Sequence, residues 1–449
     1  MVAQDRVLKS CELHVHLGGC LYADDLLDLC SDQAEKIDWT LYADSYEQAY
    51  GKQPDPPALI AAALEGAEGY DRFRRHYVVG PEDGGDFARF QAKFNLAICV
   101  YRHWHRLGRE DEMVRRLIER LRTQDLEYVE VRAMTGSATS DPIEFHDFHQ
   151  TNAKIIRECS GSGFEGRYIV SLPRWEPIEA LKVVEKLLQD SPELVPTIVG
   201  VDFCHFEEGY PPKTTRPFFE HLKAFNARHP ERALDVTYHV GEGFFDKSLE
   251  SAVRWVHEAA ELGARRLGHA LALGMDPEVA VSRLPGAHES EPASERVDQI
   301  NYDLENKTLL EATGVEVDVK NLQAELEELC HVDPATSISR SYSFERLEEV
   351  RHRQNMVLRR LEELGTVVES CPTSNLRIAS LPAPQAHPLT RFVDAGVQVV
   401  IGADDPGLFD ITLASEVDWA LDHTSVEPAE LVKRLGDPRR HRLDAKRPA

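Results

Sequence analysis

Eight short runs of β-type residues alternate along this chain with amphipathic helical patterns, and polar residues follow most of the runs. In the helical patterns, such as 177–188 and 249–262, apolar residues recur at three- and four-residue spacing. Strand–helix alternation repeated eight times predicts a parallel α/β barrel of the TIM type, (β/α)8, whose active site lies where the strands end. The predicted strands are 8–13, 127–131, 167–171, 198–203, 234–238, 266–268, 366–370 and 397–403.

The polar residues at the ends of these runs are of metal-binding types. His14 and His16 lie two positions apart, so their side chains project from the same side of a strand and can grip one ion together. Two partly buried histidines near a strand end are the alternative for this pair taken alone. His239 adds a third imidazole and Asp404 an anionic ligand, a set that suits a zinc-class ion with a further position for water. Bound zinc lowers the pKa of water from about 15.7 to about 7.

Glu242 follows His239 by three residues, across a predicted tight turn. Such a turn leaves the carboxyl beside the metal without ligating it, which is the place of a proton carrier. Its alternative is a solvated turn residue. For His269 the alternative is a core histidine bonded to backbone, and Asp404-Asp405 before Pro406 also fits a helix N-cap.

Length and composition restrict the class of protein. A chain of 449 residues exceeds the ~250 of a bare barrel, so we expect one catalytic domain over 1–436 with large insertions. The formal net charge of -26 disfavours a large nucleic-acid footprint and favours a small-molecule partner. Eight scattered cysteines are typical of reduced thiols in a cytoplasmic protein. We expect neither a secretory signal nor a membrane span.

The chain resembles the adenosine deaminase family in six motifs that appear in the family's order, and the resemblance extends from Leu8 to about Leu413. Segments 90–94 and 387–389 also match. The motifs are Glu12-Leu13-His14-Val15-His16-Leu17, Tyr128-Val129-Glu130-Val131-Arg132, His239-Val240-Gly241-Glu242, Leu267-Gly268-His269, Cys371-Pro372-Thr373-Ser374-Asn375 and Asp404-Asp405-Pro406.

The resemblance implies zinc-dependent hydrolytic deamination of a 6-aminopurine, with one ion held by the four ligands named above. It also implies catalytic roles for three residues. Glu242 would protonate the purine N1, and His269 would orient and deprotonate the metal-bound water. Asp405 would hold the ring at N7 and help to place that water. A raised carboxyl pKa at Glu242, expected in a closed pocket, would make the proton transfer effective.

Two departures from the family pattern concern the substrate-binding positions. Members acting on adenosine usually carry an aspartate where this chain has Gly18, and Gly-Asp-Glu after strand four, where this chain reads Cys204-His205-Phe206-Glu207-Glu208. Loss of the carboxylate at Gly18 removes a hydroxyl acceptor and relieves repulsion of a 5′-phosphate, for which Lys213 or Arg216 would supply cations.

The sequence therefore leaves several functions open. We expect conversion of adenosine or deoxyadenosine to the inosine form plus ammonia. Deamination of AMP, dAMP, free adenine or another 6-aminopurine is the alternative within the class. An alternative from another class is a subunit of a larger assembly, with an acidic insertion as its docking surface.

That insertion begins near Met275 and returns by about Ser343. Its first part, Pro285 to Arg296, has the composition of an exposed or mobile loop. Its later part is helical, and 344–364 predicts the barrel helix before the seventh strand. A solvated excursion, a lid and a homo-oligomer contact remain alternatives for it.

Three further segments are assigned more briefly. The long excursion Trp39 to Gly85 is predicted to help cover the pocket. Cys371-Pro372-Thr373-Ser374-Asn375 is interpreted as scaffold, with Cys371 a small buried apolar residue rather than a nucleophile. The segment 437–449, rich in basic residues and proline, is predicted to be mobile.

Overall fold

Eight parallel strands form a ring in the computed structural model, which describes residues 6–161, 163–284, 288–379 and 381–444. Two further strands form a separate antiparallel pair. In chain order the strands are β1 (Cys11–His16), β2 (Tyr128–Ala133), β3 (Glu165–Ser171), β4 (Ile198–Phe203), β5 (Asp235–Val240), β6 (Arg266–His269), β7 (His288–Pro292), β8 (Ser337–Ser341), β9 (Val367–Ser370) and β10 (Gln398–Ile401). The antiparallel pair consists of β7 and β8.

The ring runs β1 to β6 in sequence order, followed by β9 and β10. It is closed by backbone hydrogen bonds from His16 N to Asp404 O (2.9 Å) and from Asp404 N to His14 O (2.8 Å). The prediction of a (β/α)8 barrel is therefore confirmed. The strand boundaries differ most at the first strand, because His14 and His16 lie inside β1 rather than after it.

Helices surround the ring. After β1 come Ala23–Cys30, Thr40–Tyr50, Pro56–Glu65, Ala67–Tyr77, Phe87–Arg106 and Glu110–Arg122. After β2 to β6 come Pro142–Cys159, Pro177–Asp190, Arg216–Arg228, Leu249–Leu262, Leu271–Gly274 and Pro277–Ser282. After β9 and β10 come Pro372–Ile378, Leu389–Asp394, Pro406–Phe409, Leu413–His423 and Pro428–Leu435. None of the helices in the described ranges combines the length and the apolar character that spanning a bilayer requires.

Local signals explain where these helices begin and end. The helix Leu249–Leu262 begins after Ser248, whose side chain accepts a hydrogen bond from Ser251 N. It ends at Gly263, whose φ of 113° is positive, a conformation that a side chain would disfavour. The helix packs its apolar face on the barrel, which places the β5 loop that precedes it over the carboxyl ends of the strands.

The interior of the barrel is ionic. Arg266 of β6 contacts Glu130 of β2 at 2.5 Å, and Arg132 of β2 contacts Glu369 of β9 at 3.2 Å. These strands are not neighbours in the ring, so the ion pairs cross its interior. All four side chains are completely buried. Apolar residues of the same strands instead face the surrounding helices, where the main hydrophobic core lies.

The insertion is an ordered structure that is anchored to the barrel. After β7 come the helices Ala293–Glu305, Lys307–Glu311 and Val319–Leu329, and after β8 the chain enters Phe344–Leu364, which confirms the predicted barrel helix. The prediction that Pro285 to Arg296 is an exposed or mobile loop is wrong for 288–296. Its carboxylates Glu289, Glu291 and Glu295 are buried against arginines and helix N-termini elsewhere in the chain, which makes burial favourable. Residues 285–287 lie outside the described residues.

The segment after 436 covers the amino ends of the strands. Arg266 Nη1 donates to His441 O at 2.8 Å, and Leu443 N donates to Glu130 Oε1 at 2.8 Å. The Leu443 side chain packs on Ile169 and Val199. The prediction of a mobile segment is therefore wrong for 437–444, because these contacts satisfy buried groups of the barrel; residues 445–449 lie outside the described part of the chain.

Candidate metal centre and substrate pocket

The four predicted metal ligands come together at the carboxyl ends of β1, β5 and β10. His16 Nε2 lies 3.2 Å from Asp404 Oδ1, and His14 Nε2 lies 3.4 Å from the same oxygen. His239 Nε2 lies 3.2 Å from His14 Nε2. His14, His239 and Asp404 are buried, and His16 is partly exposed on the pocket side.

The donor atoms of His14, His16 and Asp404 all lie within 4.8 Å of one another, as do those of His14, His239 and His269, so the four predicted ligands fall in two overlapping groups that share His14. Ligand atoms about 2.0–2.1 Å from a zinc-class ion lie about 3.3–3.4 Å apart at the corners of a tetrahedron. The three distances above match that spacing. At 3.2 Å, His14 Nε2 and His239 Nε2 are too close to lie side by side as unprotonated nitrogens without a cation between them, because their lone pairs repel.

The second nitrogen of each buried ligand histidine is held by a carboxylate. His14 Nδ1 donates to Glu369 Oε2 at 2.6 Å, and His239 Nδ1 donates to Asp202 Oδ1 at 2.9 Å. Both Nε2 atoms then turn their lone pairs toward the shared centre. Burial raises the pKa of the Glu369 carboxyl, but Arg132, Arg266 and His14 lower it more, and its pKa lies well below the usual range. The pKa of Asp202 is lowered in the same way by His239 and Arg132 against burial.

The charge of this buried region also fits a divalent cation. Among the described residues, the paired groups of the interior are the guanidiniums of Arg132 and Arg266 and four carboxylates. The carboxylates are Glu130, Asp202, Glu369 and Asp404. Within this set, the four carboxylates exceed the two guanidiniums by two negative charges. A divalent ion would neutralise them, and buried charge without compensation is costly.

Two carboxyls beside the centre, the buried Asp405 and the partly exposed Glu242, each have one oxygen without a hydrogen-bond partner: Asp405 Oδ1 and Glu242 Oε1. Burial, followed by the charge of Asp404, raises the pKa of Glu242 well above its usual range. The same two causes, in the same order, raise the pKa of Asp405. Both shifts favour the protonated form, which can donate a hydrogen bond to a ligand in the pocket.

His269 lies between these groups. Its Nε2 is 3.6 Å from Glu242 Oε1 and 3.9 Å from Asp404 Oδ2, distances that leave room for a small molecule rather than a direct hydrogen bond. Burial lowers the pKa of His269 well below its usual range, so the ring is neutral.

The backbone at this site is strained. His269 has φ of 66° and Asp404 has φ of 61°, in the left-handed region that side chains disfavour. His205, at the end of β4, has φ of 73°. Such conformations cost of order 1–3 kcal/mol each and cluster at functional sites. Their presence at three of the predicted site residues is consistent with selection for function rather than for stability.

The motif interpreted as scaffold makes direct contacts with the site, so that interpretation is wrong for two of its residues. Ser374 Oγ donates to Asp404 Oδ2 at 2.6 Å, and Asn375 Nδ2 lies 2.9 Å from His269 Nδ1. Thr373 is held in turn by Glu416, which accepts from its backbone N at 2.7 Å. Cys371 itself is completely buried, and burial raises the pKa of its thiol, as expected for a small apolar residue.

The sequence also missed the residues that hold the ligand histidines. Glu369, Asp202 and Arg132 lie within otherwise apolar strands. Charged side chains inside such strands were the available signal, since a buried charge requires a partner. Which strands supply the partners depends on the closed ring.

Gly18 is half-buried after β1, and the ring of Phe94 fills the space beside it. A Cβ added to Gly18 would lie 3.1 Å from Phe94 Cζ. The neighbouring Gly19 is needed for a different reason, because a Cβ there would overlap the carboxylate of Asp405. The place of the family's sugar-side carboxylate is thus adjacent to an aromatic wall.

That wall continues from Phe94 as a chain of ring contacts, which we call the aromatic belt. Phe90 stacks on Phe94 at 5.9 Å, Phe87 contacts Phe206 at 4.7 Å, and Trp175 contacts His205 edge-on at 5.8 Å. Trp175 is 47% exposed and Phe206 is 40% exposed. The belt consists of Phe94, Phe90, Phe87, Phe206, His205 and Trp175.

The two cations proposed for a phosphate lie elsewhere. Lys213 pairs with Asp298 of the insertion. Together with Arg216 it lines an outer groove beside Glu258 and Glu261 of the helix Leu249–Leu262. The expectation that Lys213 or Arg216 lies near Gly18 is therefore wrong. The loop after β4 turns Lys213 toward the insertion, which supplies its acidic partner Asp298.

Comparisons with known proteins agree with this architecture. The family model of adenosine deaminase matches residues 75–285 and 345–435, more than half of the chain. An adenine deaminase of Rhizobium leguminosarum bv. trifolii is 41% identical over 75 residues, 17% of this chain and 23% of that protein. The matched stretch thus spans less than a quarter of that relative's length.

Solved structures resemble the whole fold at low identity. The apo N6-methyl-AMP deaminase of Arabidopsis thaliana has a TM-score of 0.55 and 16% identity, and the match covers 99% of this chain and 94% of that one. A cog1816 amidohydrolase from Burkholderia ambifaria with bound Zn has a TM-score of 0.52 and 15% identity, with coverage of 97% and 85%. These likenesses support the barrel fold. On the match of the family model, the chain belongs to the adenosine deaminase family.

Proposed function

We propose that this protein is a zinc-dependent aminohydrolase that converts adenosine or deoxyadenosine to the corresponding inosine form and ammonia. One zinc ion per chain would be held by His14, His16, His239 and Asp404. The observation that carries the proposal is the position of two carboxyls with unpartnered oxygens, Glu242 and Asp405, beside the cluster of imidazole and carboxylate donor atoms.

A zinc ion in this cluster would act as a Lewis acid that lowers the pKa of water toward neutrality. The protein supplies the remaining chemistry. A C6–O bond forms, the C6–N6 bond breaks and ammonia leaves, so the overall reaction consumes one water molecule.

Glu242 is the proposed proton donor to the purine N1. Attack at C6 moves negative charge into the ring, and a proton held on Glu242 offsets it where it develops. The raised pKa of Glu242 supports this role, because an ionised carboxylate would repel that charge. Gly241, with φ of 69°, makes the turn that brings Glu242 back over the pocket.

Asp405 and His269 are proposed to orient the reactants. A protonated Asp405 donates to the purine N7, an acceptor, and so fixes the ring plane relative to Glu242. His269 faces the space between Glu242 and Asp404, where the attacking water would lie. With N1 and N7 both engaged, the edge of the purine that carries the sugar is directed away from these donors.

An uncharged sugar is the better partner for that edge. Gly18 and His205 are the proposed substrate-binding positions, and the aromatic belt beside them offers ring faces and apolar edges. A 5′-phosphate needs cations or helix N-termini, whereas Lys213 is already paired with Asp298. These contacts favour a nucleoside over AMP or dAMP.

Free adenine is the second candidate substrate. Its support is the absence of a carboxylate at Gly18, which leaves a sugar hydroxyl without that acceptor. A relative with local similarity bears the name adenine deaminase. The belt would then close the pocket over the base alone.

A substrate panel tests the proposal. Purified protein with measured zinc content is incubated with adenosine, deoxyadenosine, AMP, dAMP, N6-methyl-AMP and adenine, and the products are separated by chromatography. We expect the largest kcat/KM for a nucleoside. A largest value for a nucleotide would contradict the nucleoside assignment, and absence of ammonia release from every compound would contradict the reaction class.

A further inference from the structure

A chain of three buried hydrogen bonds runs from a helix N-terminus to the ring of His269. Leu389 N donates to His387 Nδ1 at 3.1 Å, His387 Nε2 lies 3.1 Å from Asn375 Oδ1, and Asn375 Nδ2 lies 2.9 Å from His269 Nδ1. His387 is 7% exposed, His269 1% and Asn375 not at all. We call this chain the relay.

The direction of the relay is fixed at its first bond. A backbone N–H can only donate, so His387 Nδ1 carries a lone pair. Leu389 is the first residue of the helix Leu389–Asp394 and follows Pro388, which has no N–H. The amide of Leu389 is therefore one of the donors that a helix N-terminus leaves without a partner in the helix. A neutral ring with a lone pair on Nδ1 has its proton on Nε2. His387 therefore donates to Asn375.

Asn375 continues the same direction of hydrogen-bond donation to His269. Its oxygen accepts from His387, which leaves its amide nitrogen to donate to His269 Nδ1. The opposite amide orientation would set the NH2 group of Asn375 against the N–H of His387 and cost that bond. The neutral ring of His269 then has its proton on Nε2, the atom that faces Glu242 and Asp404.

We infer that Asn375 and His387 are positioning residues that hold His269 as an Nε2–H donor toward the reacting groups. This inference rests on the proposed function for its catalytic meaning, although the tautomer itself does not depend on it. His269 in its resting state has no lone pair at Nε2, so it orients an oxygen by donating to it. The resemblance alone implies that His269 also removes a proton from water, and the relay argues against that role for the neutral ring.

The tautomer is measured by 15N NMR of histidine-labelled, zinc-loaded protein, with the His269 signals assigned from their loss in His269→Asn. We expect a protonated Nε2 and an unprotonated Nδ1 in the wild-type protein. A proton on Nδ1 would overturn the inference. No substrate is needed, so a failure of the proposed deamination and a failure of the relay are distinguishable.

Asn375→Asp tests the consequence with almost no change in size. A carboxylate can only accept, so it would draw the His269 proton to Nδ1 while still accepting from His387. We expect the NMR signature to reverse and kcat to fall about 100-fold, with KM and zinc content near wild-type values. An unchanged kcat with a reversed tautomer would overturn the functional part of the inference.

His387 offers a conservative pair of variants. His387→Gln keeps a donor for Asn375 Oδ1 and should retain most activity, whereas His387→Leu removes it and should lower kcat. Equal losses in both variants would indicate a packing role only. His149→Gln is the matched control, because His149 is also completely buried and its Nδ1 lies 2.8 Å from the Tyr168 hydroxyl, away from the site.

Discussion

Ser374 donates its hydroxyl to Oδ2 of Asp404 at 2.6 Å, while Oδ1 of the same carboxylate faces His14 and His16. Oδ2 of Asp404 is thus held by Ser374, and Oδ1 is left for the proposed metal. Because Asp404 has a positive φ, its side chain depends on such support to keep its direction.

The first prediction concerns metal loading. Asp404→Ala or His16→Ala should remove both zinc and turnover, because each deletes one of the four proposed ligands. Ser374→Ala should keep the ligands but weaken zinc affinity about 10- to 100-fold. Zinc per chain is measured by elemental analysis after dialysis against a graded chelator. A full equivalent of zinc in Asp404→Ala would show that the ligand assignment is wrong.

The second prediction separates proton transfer from metal binding. Glu242→Gln should keep its zinc and lower kcat about 100-fold or more, since an amide cannot deliver the proton to the purine N1. Kinetics and metal analysis on one preparation measure both effects. If zinc and activity fell in proportion, Glu242 would be a ligand rather than a proton donor.

The third prediction concerns Gly18. Gly18→Asp should lower kcat/KM for adenosine and AMP by similar factors, because the new side chain meets the Phe94 ring before it meets any sugar. Adding Phe94→Leu should recover part of the loss by making room. A loss confined to AMP would instead place a phosphate beside Gly18, through like-charge repulsion.

The fourth prediction concerns the anchor of the insertion. Arg346 Nε contacts Glu250 at 2.7 Å and its Nη2 contacts Glu289 at 2.6 Å, and the arginine side chain is 15% exposed. Arg346→Met should lower the free energy of unfolding by about 3–5 kcal/mol, because the buried Glu250 loses its arginine partner and the buried Glu289 keeps only Arg340. Urea unfolding measures it. Arg434→Met, which removes an exposed pair with Glu430, is the control and should change little.

The loss in Arg346→Met should also depend on pH. Burial raises the pKa of Glu250, but Arg346 lowers it more, to about 2 from an ordinary value of 4.5. A depressed folded-state pKa stabilises the protein above pH 4.5, and this contribution disappears as the pH falls from 4.5 toward 2. The difference between wild type and variant should therefore be smaller at pH 3.5 than at pH 7. An equal difference at both values would assign the anchor to packing rather than charge.

The barrel and the gathering of the four proposed ligands at one end of it were predictable because their signals are local. His239 and Asp404 each follow an apolar run of strand length, and that pattern alone assigns them to one end of the barrel. Asn375 and Ser374 were not assigned to the site, because their partners His269 and Asp404 lie 106 and 30 positions away. Polar residues in a turn give no indication of which distant group they contact.

For the insertion, the local sequence did give a signal, but that signal was misleading. The Pro, Ser and Glu content around Glu289 and Glu291 is typical of a solvated loop, yet both side chains are buried. What makes their burial favourable is Arg340 and Arg346, some fifty positions later in the chain. The composition of a segment predicts its behaviour in water. Here the carboxylates of the segment contact arginines instead of water, and those arginines lie outside the local sequence.

The segment 437–444 follows every barrel strand in the chain, so during synthesis the strands emerge before the residues that cover their amino ends. Until it arrives, Glu130 lacks its bond from Leu443 N and Arg266 lacks its bond to His441 O. Arg266 also holds Glu369, which orients His14. A nascent barrel can therefore collapse around its apolar shell early, while the hydrogen-bond network that reaches His14 is complete only after residue 443 has been synthesised.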